Sequence, residues 1–395
     1  SRPGVLMVTG AYYPELSGAS LQCRELVRRL RTSIRFTILT TTADRTLPAL
    51  DEQDDVPVHR VFIDPSKPWS KIAAALRFTR VVLNNRHRFS IVHLHGFSQK
   101  SILLVWLARL SRRPVVLKLT SVGHDDPVSM KARGGLAYRC YSRAALYVCV
   151  STQMKVLYER AGFPQSRFRL IPNGVDLDRF RPRHADERMA LRRQLGLPGS
   201  GLMFLFVGFF STEKCPDGVF DAWASLARAH ATIGPLVFVG ATRSRYYEVN
   251  PELAEQIKVR ARDLDLEDRV IFVEKTLHID NYYRAADIFV LASLREGLPN
   301  SLMEAMASGM ACVSSRLDGV TDDLIEDGVS GLLTPPGDVP ALEAALRFLV
   351  DHPDKASEMG IRARETIEVS FRIERIAQQY LDAYRALSGH PACAA

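Results

Sequence analysis

Short apolar runs alternate with longer helical patterns along nearly the whole of this sequence, and no other feature restricts its fold so tightly. The runs in the first half are VLMVT (5–9), RFTILTT (35–41), VPVHRVFI (56–63), SIVHLHG (90–96), PVVLKLT (114–120), LYVCVS (146–151) and FRLI (168–171). In the second half they are LMFLFVG (202–208), PLVFVGA (235–241), RVIFVEK (269–275), DIFVLAS (287–293), ACVSS (311–315) and GLLT (331–334). Continuous Val, Ile and Leu without polar alternation marks strands buried on both faces, the condition of a parallel sheet covered by helices. The pattern predicts a doubly wound α/β architecture. At 395 residues the chain is about twice a common domain. The polar NGVDLDRFRPRHADERM stretch between the two series reads as a linker, with a boundary near residue 175. Domains are therefore expected over 1–175 and 176–373. Open sheets of this class bind ligands beyond the carboxyl ends of their strands, so two such sheets facing each other would frame one cleft.

Composition narrows the function classes. An apolar share of 47% with 24% charged residues is globular and excludes a disordered or fibrous chain. The longest apolar stretches, SILLVWLARL and GLMFLFVGFF, fall short of the ~18 residues that span a bilayer. Cys23, Cys140, Cys149, Cys215, Cys312 and Cys393 are widely spaced without a CxxC pair, which fits neither a zinc site nor a disulfide scaffold. With no charged-then-apolar leader, a reducing, cytoplasmic setting is expected. Part of the net charge of +8 is organised, since Arg24, Arg28, Arg31 and Arg35 fall at helical spacing on one side of the first predicted helix. Further arginines gather at Arg86, Arg88, Arg109, Arg112 and Arg113. These read either as a solvated surface or as a face for anionic membrane or an acidic acceptor, peripheral to the inner side of the cytoplasmic membrane. Nucleic acid is not expected, because no recognition motif accompanies the charge.

The segment REGLPNSLMEAMASG (295–309) holds the chemistry-bearing pattern. Glu296 falls on the loop after a strand and Glu304 in the first turn of the next helix. Ser301 with Glu304 also matches a capping box, in which the carboxylate only closes its own helix. The GLPN turn would expose backbone amides at a helix amino terminus, where the dipole favours an anion such as a diphosphate. A carboxylate that accepts two hydroxyl hydrogen bonds suits a ribose. Both readings of Glu304 are open from spacing alone. Upstream, Lys214 in VGFFSTEKCPD lies ahead of another helix start, as a solvated loop charge or as a cation for a leaving group. The DLD triplets at 176–178 and 263–265 sit in a linker and a helical stretch, so no metal site is expected.

Taken together, YYPELSGAS, IPNGVDLDRF, VGFFSTEKCPD, REGLPNSLMEAMASGMACVSS and DLIEDGVSGLLTPPGD resemble, in order, the signature blocks of the retaining glycosyltransferases of family 4. The resemblance covers essentially the full chain and is most specific in its carboxy-terminal blocks. It implies a GT-B fold of two Rossmann-like domains facing each other across a cleft, with donor held mainly by the second and acceptor by the first. The terminal helix, within 374–395, would return to the first domain. Position by position it implies that Glu304 holds the ribose and Glu296 the donor sugar. Gly297, Leu298, Pro299, Asn300 and Ser301 would supply backbone amides, Lys214 would meet the diphosphate, and Ser17 with Gly18 would stand for a phosphate-approaching Gly-Gly pair. His124 lies near a family histidine, displaced by a few residues, and is carried as a catalytic or sugar-contacting residue. His93 and His95 are read as structural.

Three positions depart from the family pattern. Phe209 replaces an arginine expected at the diphosphate, with Arg243 as the candidate substitute, Ser17 replaces a glycine, and Glu274 replaces a glycine near the base-binding wall. The resemblance implies transfer from a nucleotide sugar to a glycan, lipid-linked or small-molecule hydroxyl with retention and without metal or other cofactor. Two rival readings are a catalytically silent sugar-nucleotide binder and a nucleotide-sugar epimerase of the same fold.

Overall fold

The computed structural model describes residues 2–15, 17–64, 66–184, 186–230, 233–242 and 249–389. Arg243 lies outside the described residues. Internal contacts divide the chain into unit 1, residues 1–174 with 373–395, and unit 2, residues 175–372.

Unit 1 is built on β1 (Gly4–Val8), β2 (Arg35–Thr42), β3 (Leu50–Gln53), β4 (Val56–Phe62), β5 (Ile91–His95), β6 (Val115–Leu119), β7 (Leu146–Cys149) and β8 (Phe168–Leu170). Their order is β3-β4-β2-β1-β5-β6-β7-β8, parallel throughout except at the β3–β4 hairpin. Unit 2 contains β9 (Leu202–Val207), β10 (Ile233–Val239), β11 (Val270–Val273), β12 (Ile288–Leu291), β13 (Ala311–Ser315) and β14 (Leu332–Thr334). Their order is β11-β10-β9-β12-β13-β14, parallel throughout. Strand order reverses between β1 and β5 in one sheet and between β9 and β12 in the other. Every strand but β3 coincides with an apolar run of the sequence. The LDEQ strand escapes that reading because it is a short, half-exposed edge with one apolar residue.

The helix Gly18–Leu30 ends before Arg35, which opens β2 instead of extending the basic helix face predicted for it. The remaining arginines of that face are paired. Arg24 Nε lies 2.7 Å from Asp54, Arg28 bonds Glu25 at 3.3 Å, and Arg31 pairs with Asp55. Asp54 and Asp55 adopt positive φ (52° and 61°) in the tight turn of the β3–β4 hairpin, which brings them to the helix.

The amphipathic helix Ile373–Ser388 packs on unit 1, burying Ile373, Ile376, Ala377, Tyr380, Leu381 and Tyr384 against β5 and the Gly18–Leu30 helix. A Cβ on Gly174 would meet Ile373 Cδ1 at 2.6 Å, so only glycine permits this approach. Beneath the helix lies a polar pocket in an apolar core. His93 Nδ1 is 2.6 Å from Tyr384 Oη, and Lys118 Nζ donates to Asn173 Oδ1 at 2.8 Å. Burial, then the Lys118 charge, pushes His93 down to about 3, and burial lowers Lys118 to about 8. His95 is held well below its usual value by burial, then by His93 and Lys118.

In unit 2, Arg192 is buried beside Asp287 at 2.7 Å and also bonds the carbonyls of Ala285 and Gly201. Asp287 in turn accepts from the Met203 amide at 2.8 Å, tying β9 and the start of β12 to the Glu187–Gln194 helix.

The depressed His93 value fixes the sign of a pH effect. Its contribution is fully present above pH 6.5 and is lost as pH falls from there towards about 3, because the unfolded chain takes up a proton that the folded chain refuses. Denaturant melts between pH 7 and 5 should show stability falling with acid. His93→Gln should reduce the slope by up to about 1.4 kcal/mol per pH unit. An unaltered slope in the variant contradicts the assignment.

Candidate functional site

Adjacent pairing of β9 and β12 brings two distant loops together at the carboxyl edge of unit 2. After β9 the chain passes Gly208 and Phe209 into a single turn, Thr212–Lys214. Cys215 then sits at φ 47°, and the Pro216–Ala229 helix begins. After β12 it runs through Ser293 and Glu296 to the Asn300–Ala307 helix. The loops are laced by two ion pairs, Lys214 with Glu296 and Glu213 with Arg295, and by a 2.8 Å bond from the Leu294 amide to the Glu213 carbonyl. Ser293 Oγ donates to the same Glu296 oxygen at 2.7 Å, fixing that carboxylate from its own loop. Glu296 is the more enclosed partner, with 10% of its side chain exposed against 24% for Lys214, so the cation is the member that can turn outward.

Glu304 does not close its own helix. The helix starts at Asn300 with Pro299 as its cap, and no side chain caps it. Ser301 is thus the second helical residue, and the capping-box reading fails. The Glu304 carboxylate instead accepts from Tyr283 Oη at 2.9 Å, while that hydroxyl lies 3.2 Å from the Ser301 carbonyl. Tyr283 is buried in the Ile279–Ala285 helix; burial first, and Glu304 second, raise its phenol well above the usual value, so it stays a donor. At this helix start the positive end of the helix dipole favours a negatively charged group. Among the turn residues, Gly297, Leu298, Asn300 and Ser301 carry an amide hydrogen. Pro299 carries none, so its expected amide is corrected to a conformational role.

The neighbouring loops are equally tight. A Cβ on Gly240 would sit 1.9 Å from the Gly208 carbonyl oxygen, and the Gly208 amide bonds Val239 at 3.0 Å. Glu274 accepts from the Thr242 amide at 3.1 Å and from its hydroxyl at 2.5 Å, so the departure from glycine here anchors the loop after β10. Asp176 closes a turn through the amides of Asp178 and Arg179, and Asp263 ends a helix.

In unit 1 the expected phosphate-approaching pair takes a different form. Ser17 caps the Gly18–Leu30 helix, with its hydroxyl accepting from Ser20 at 3.1 Å and its amide donating to Ser20 Oγ at 2.7 Å. Both polar groups thus take part in the helix start. Gly18 is the first helical residue and is exposed. His124 is exposed on the turn after β6; Asp125 and Asp126 beside it are buried and shape that turn through the amides of Thr120, Ser121, Gly123 and Ser129. His95 Nε2 is 3.1 Å from Met7 Sδ inside the core.

Sequence reasoning missed Tyr283, Ser293 and Lys100. Lys100, at the start of the Gln99–Leu110 helix, donates to the Thr9 carbonyl at 2.7 Å and pairs with no carboxylate among the described residues; burial lowers it to about 8. It stands where strand order reverses between β1 and β5, and that rule was the signal available for finding it.

Two family models match the chain, "Glycosyl transferase 4-like domain" over residues 17–174 and "Glycosyl transferases group 1" over residues 187–366. Spore coat protein SA of Bacillus subtilis is 27% identical, over 85% of this chain and 87% of its own. The Escherichia coli UDP-Gal:alpha-D-GlcNAc-diphosphoundecaprenol alpha-1,3-galactosyltransferase is 28% identical, over 76% of this chain and 77% of its own. Among solved structures, Anabaena HepE in complex with UDP and glucose superposes with a TM-score of 0.79 at 20% identity, covering 98% of this chain and all of that one. That likeness concerns the fold: each unit is Rossmann-like, and the architecture is GT-B.

The Tyr283 to Glu304 bond has a measurable worth. Tyr283→Phe removes a donor to a charged acceptor and should lower stability by about 1.5–3 kcal/mol in urea melts. An unchanged midpoint shows that the bond is not formed in solution.

Proposed function

We propose that this chain, which belongs to the family 4-like glycosyltransferases, moves a glycosyl unit from a nucleotide-diphosphate sugar to an acceptor hydroxyl with retention of configuration. Glycan or glycolipid synthesis is its setting. The acceptor is a glycan, a lipid-linked glycan or a small molecule; the lipid-linked acceptor in the name of the Escherichia coli relative supports the second. UDP is the first nucleotide to test, given the ligands of the HepE complex.

One observation carries the reading: the Lys214–Glu296 pair stands beside an uncapped helix start at the switch point of unit 2. The diphosphate would take the amides around 297–302 and draw Lys214 from Glu296, releasing that carboxylate to the donor sugar. Glu304, oriented by Tyr283, would receive the ribose hydroxyls. As the anomeric bond breaks, negative charge grows on the diphosphate, and Lys214 with the amides stabilises it more in the transition state than before. The leaving phosphate oxygen would accept the acceptor proton from the same face, so no protein base is needed. Gly18 and His124 are assigned to unit 1 contacts with the reactants, Arg243 to the second diphosphate cation in place of the residue at Phe209. No step requires a metal.

Thermal-shift screening against UDP-, GDP- and ADP-sugars identifies the donor, since a ligand of the folded state raises its apparent stability. With that donor, Lys214→Ala should lower kcat by about 100-fold or more; near-parental turnover refutes the role. Transfer in EDTA should match transfer in buffer, and its loss, restored by a divalent cation, overturns the metal-free scheme.

A further inference from the structure

Many surface cations elsewhere on this chain stand beside carboxylates. On the Pro353–Ser370 helix, for example, Lys355, Arg362 and Arg364 pair with Glu358, Glu365 and Glu368. One face of unit 1 gathers cations where the sequence supplies no exposed carboxylate. Between Asp64 and Asp125 the sequence holds no aspartate or glutamate, and none follows from Pro127 to Tyr158. The two exceptions, Asp125 and Asp126, are buried.

This stretch forms the helices Pro68–Asn84, Gln99–Leu110 and Gly135–Tyr141, the first packed on the second and the second on the third. All three bury one side in a common core, through Phe78, Val82, Leu104, Ala108, Cys140 and Tyr141. Their other sides carry large apolar residues in water. Trp69 is 79% exposed, Leu76 69%, Leu110 77% and Leu136 55%, with Ile72 and Trp106 between them. Trp69, Ile72, Leu76 and Leu83 follow helical spacing, so they make a stripe and not a scatter. Exposed Lys71, Arg77, Arg80, Arg109, Arg133 and Arg139 interleave with it and pair with no carboxylate among the described residues. The basic face of the Gly18–Leu30 helix, by contrast, is neutralised by Glu25, Asp54 and Asp55.

We propose that the outer face of the helices Pro68–Asn84, Gln99–Leu110 and Gly135–Tyr141 docks unit 1 on an anionic lipid bilayer. Tryptophan belongs at the boundary between headgroups and acyl chains, leucine and isoleucine below it, and unpaired lysine and arginine at the phosphates. Charge complementarity selects this occupant: a nucleic acid offers nothing to a leucine stripe, and a second copy of the face would set cation against cation. The inference goes beyond the transfer reaction and does not depend on it.

The test uses the purified full chain without sugar nucleotide, with vesicles of phosphatidylcholine alone and of an equimolar mixture with phosphatidylglycerol. Of the three tryptophans, Trp69 and Trp106 lie on the face and Trp223 is buried, so emission reports contact directly. Anionic vesicles should shift emission to the blue, brominated acyl chains should quench it, and neutral vesicles should do little. Trp69→Ser with Leu76→Ser, or Arg77→Glu with Arg80→Glu, should weaken co-sedimentation about tenfold or more. Arg193→Glu with Arg362→Glu, an equal charge change in unit 2, should bind as the parent does. The proposal is overturned if the parent ignores anionic vesicles, if face variants that melt like the parent still bind, or if the unit 2 control loses binding equally. Self-association abolished by the face variants, with emission indifferent to lipid, assigns the face to a second copy and overturns it too.

Discussion

One-way strands are the constraint on which the rest depends. In each sheet every crossover must return to the same starting edge, so the helices that follow strands begin at the carboxyl edge and direct their amides there. Where strand order reverses, between β9 and β12 in unit 2, the loops on either side are adjacent in space and 82 residues apart in sequence. Lys214 and Glu296 meet for that reason.

That meeting is electrostatically economical. A cation near an uncapped helix start would face an unfavourable dipole without a counter-charge, and Glu296 supplies one. Ser293 anchors Glu296, and Tyr283 anchors Glu304, so both carboxylates are oriented before any ligand arrives. Preorganised groups of this kind lose little on reaching the transition state, and that is where their contribution to rate lies. The glycosyltransferase character of the chain and the geometry of unit 2 thus point to the same edge of the same sheet.

The strands were legible because burial on both faces writes an uninterrupted apolar run, and β3 was not, because an edge strand has no such demand. The Ser301–Glu304 spacing misled in a specific way: Pro299 sets the helix start two residues earlier than a capping box needs, and tertiary contact with Tyr283 claims the carboxylate. At the other helix start a true capping box went unread, since Ser20 takes the place usually held by glutamate or glutamine at the end of the Ser17 box. The arginine face was seen, but its neutralising aspartates arrive from a hairpin some two dozen residues away, beyond the reach of helical periodicity. Lys100 and Tyr283 carry no local signature at all; only the topology gives them a place.

The central claim is that the carboxyl edge of unit 2 receives a sugar nucleotide through Lys214, Glu296 and Glu304. A crystal structure with a non-hydrolysable analogue of the donor tests it most directly. The account predicts the diphosphate on the first-turn amides of the Asn300–Ala307 helix, Lys214 moved from Glu296 to a phosphate oxygen, and both ribose hydroxyls on Glu304. A nucleotide seated elsewhere, with the Lys214–Glu296 pair intact and Glu304 still bonded to Tyr283, would contradict it.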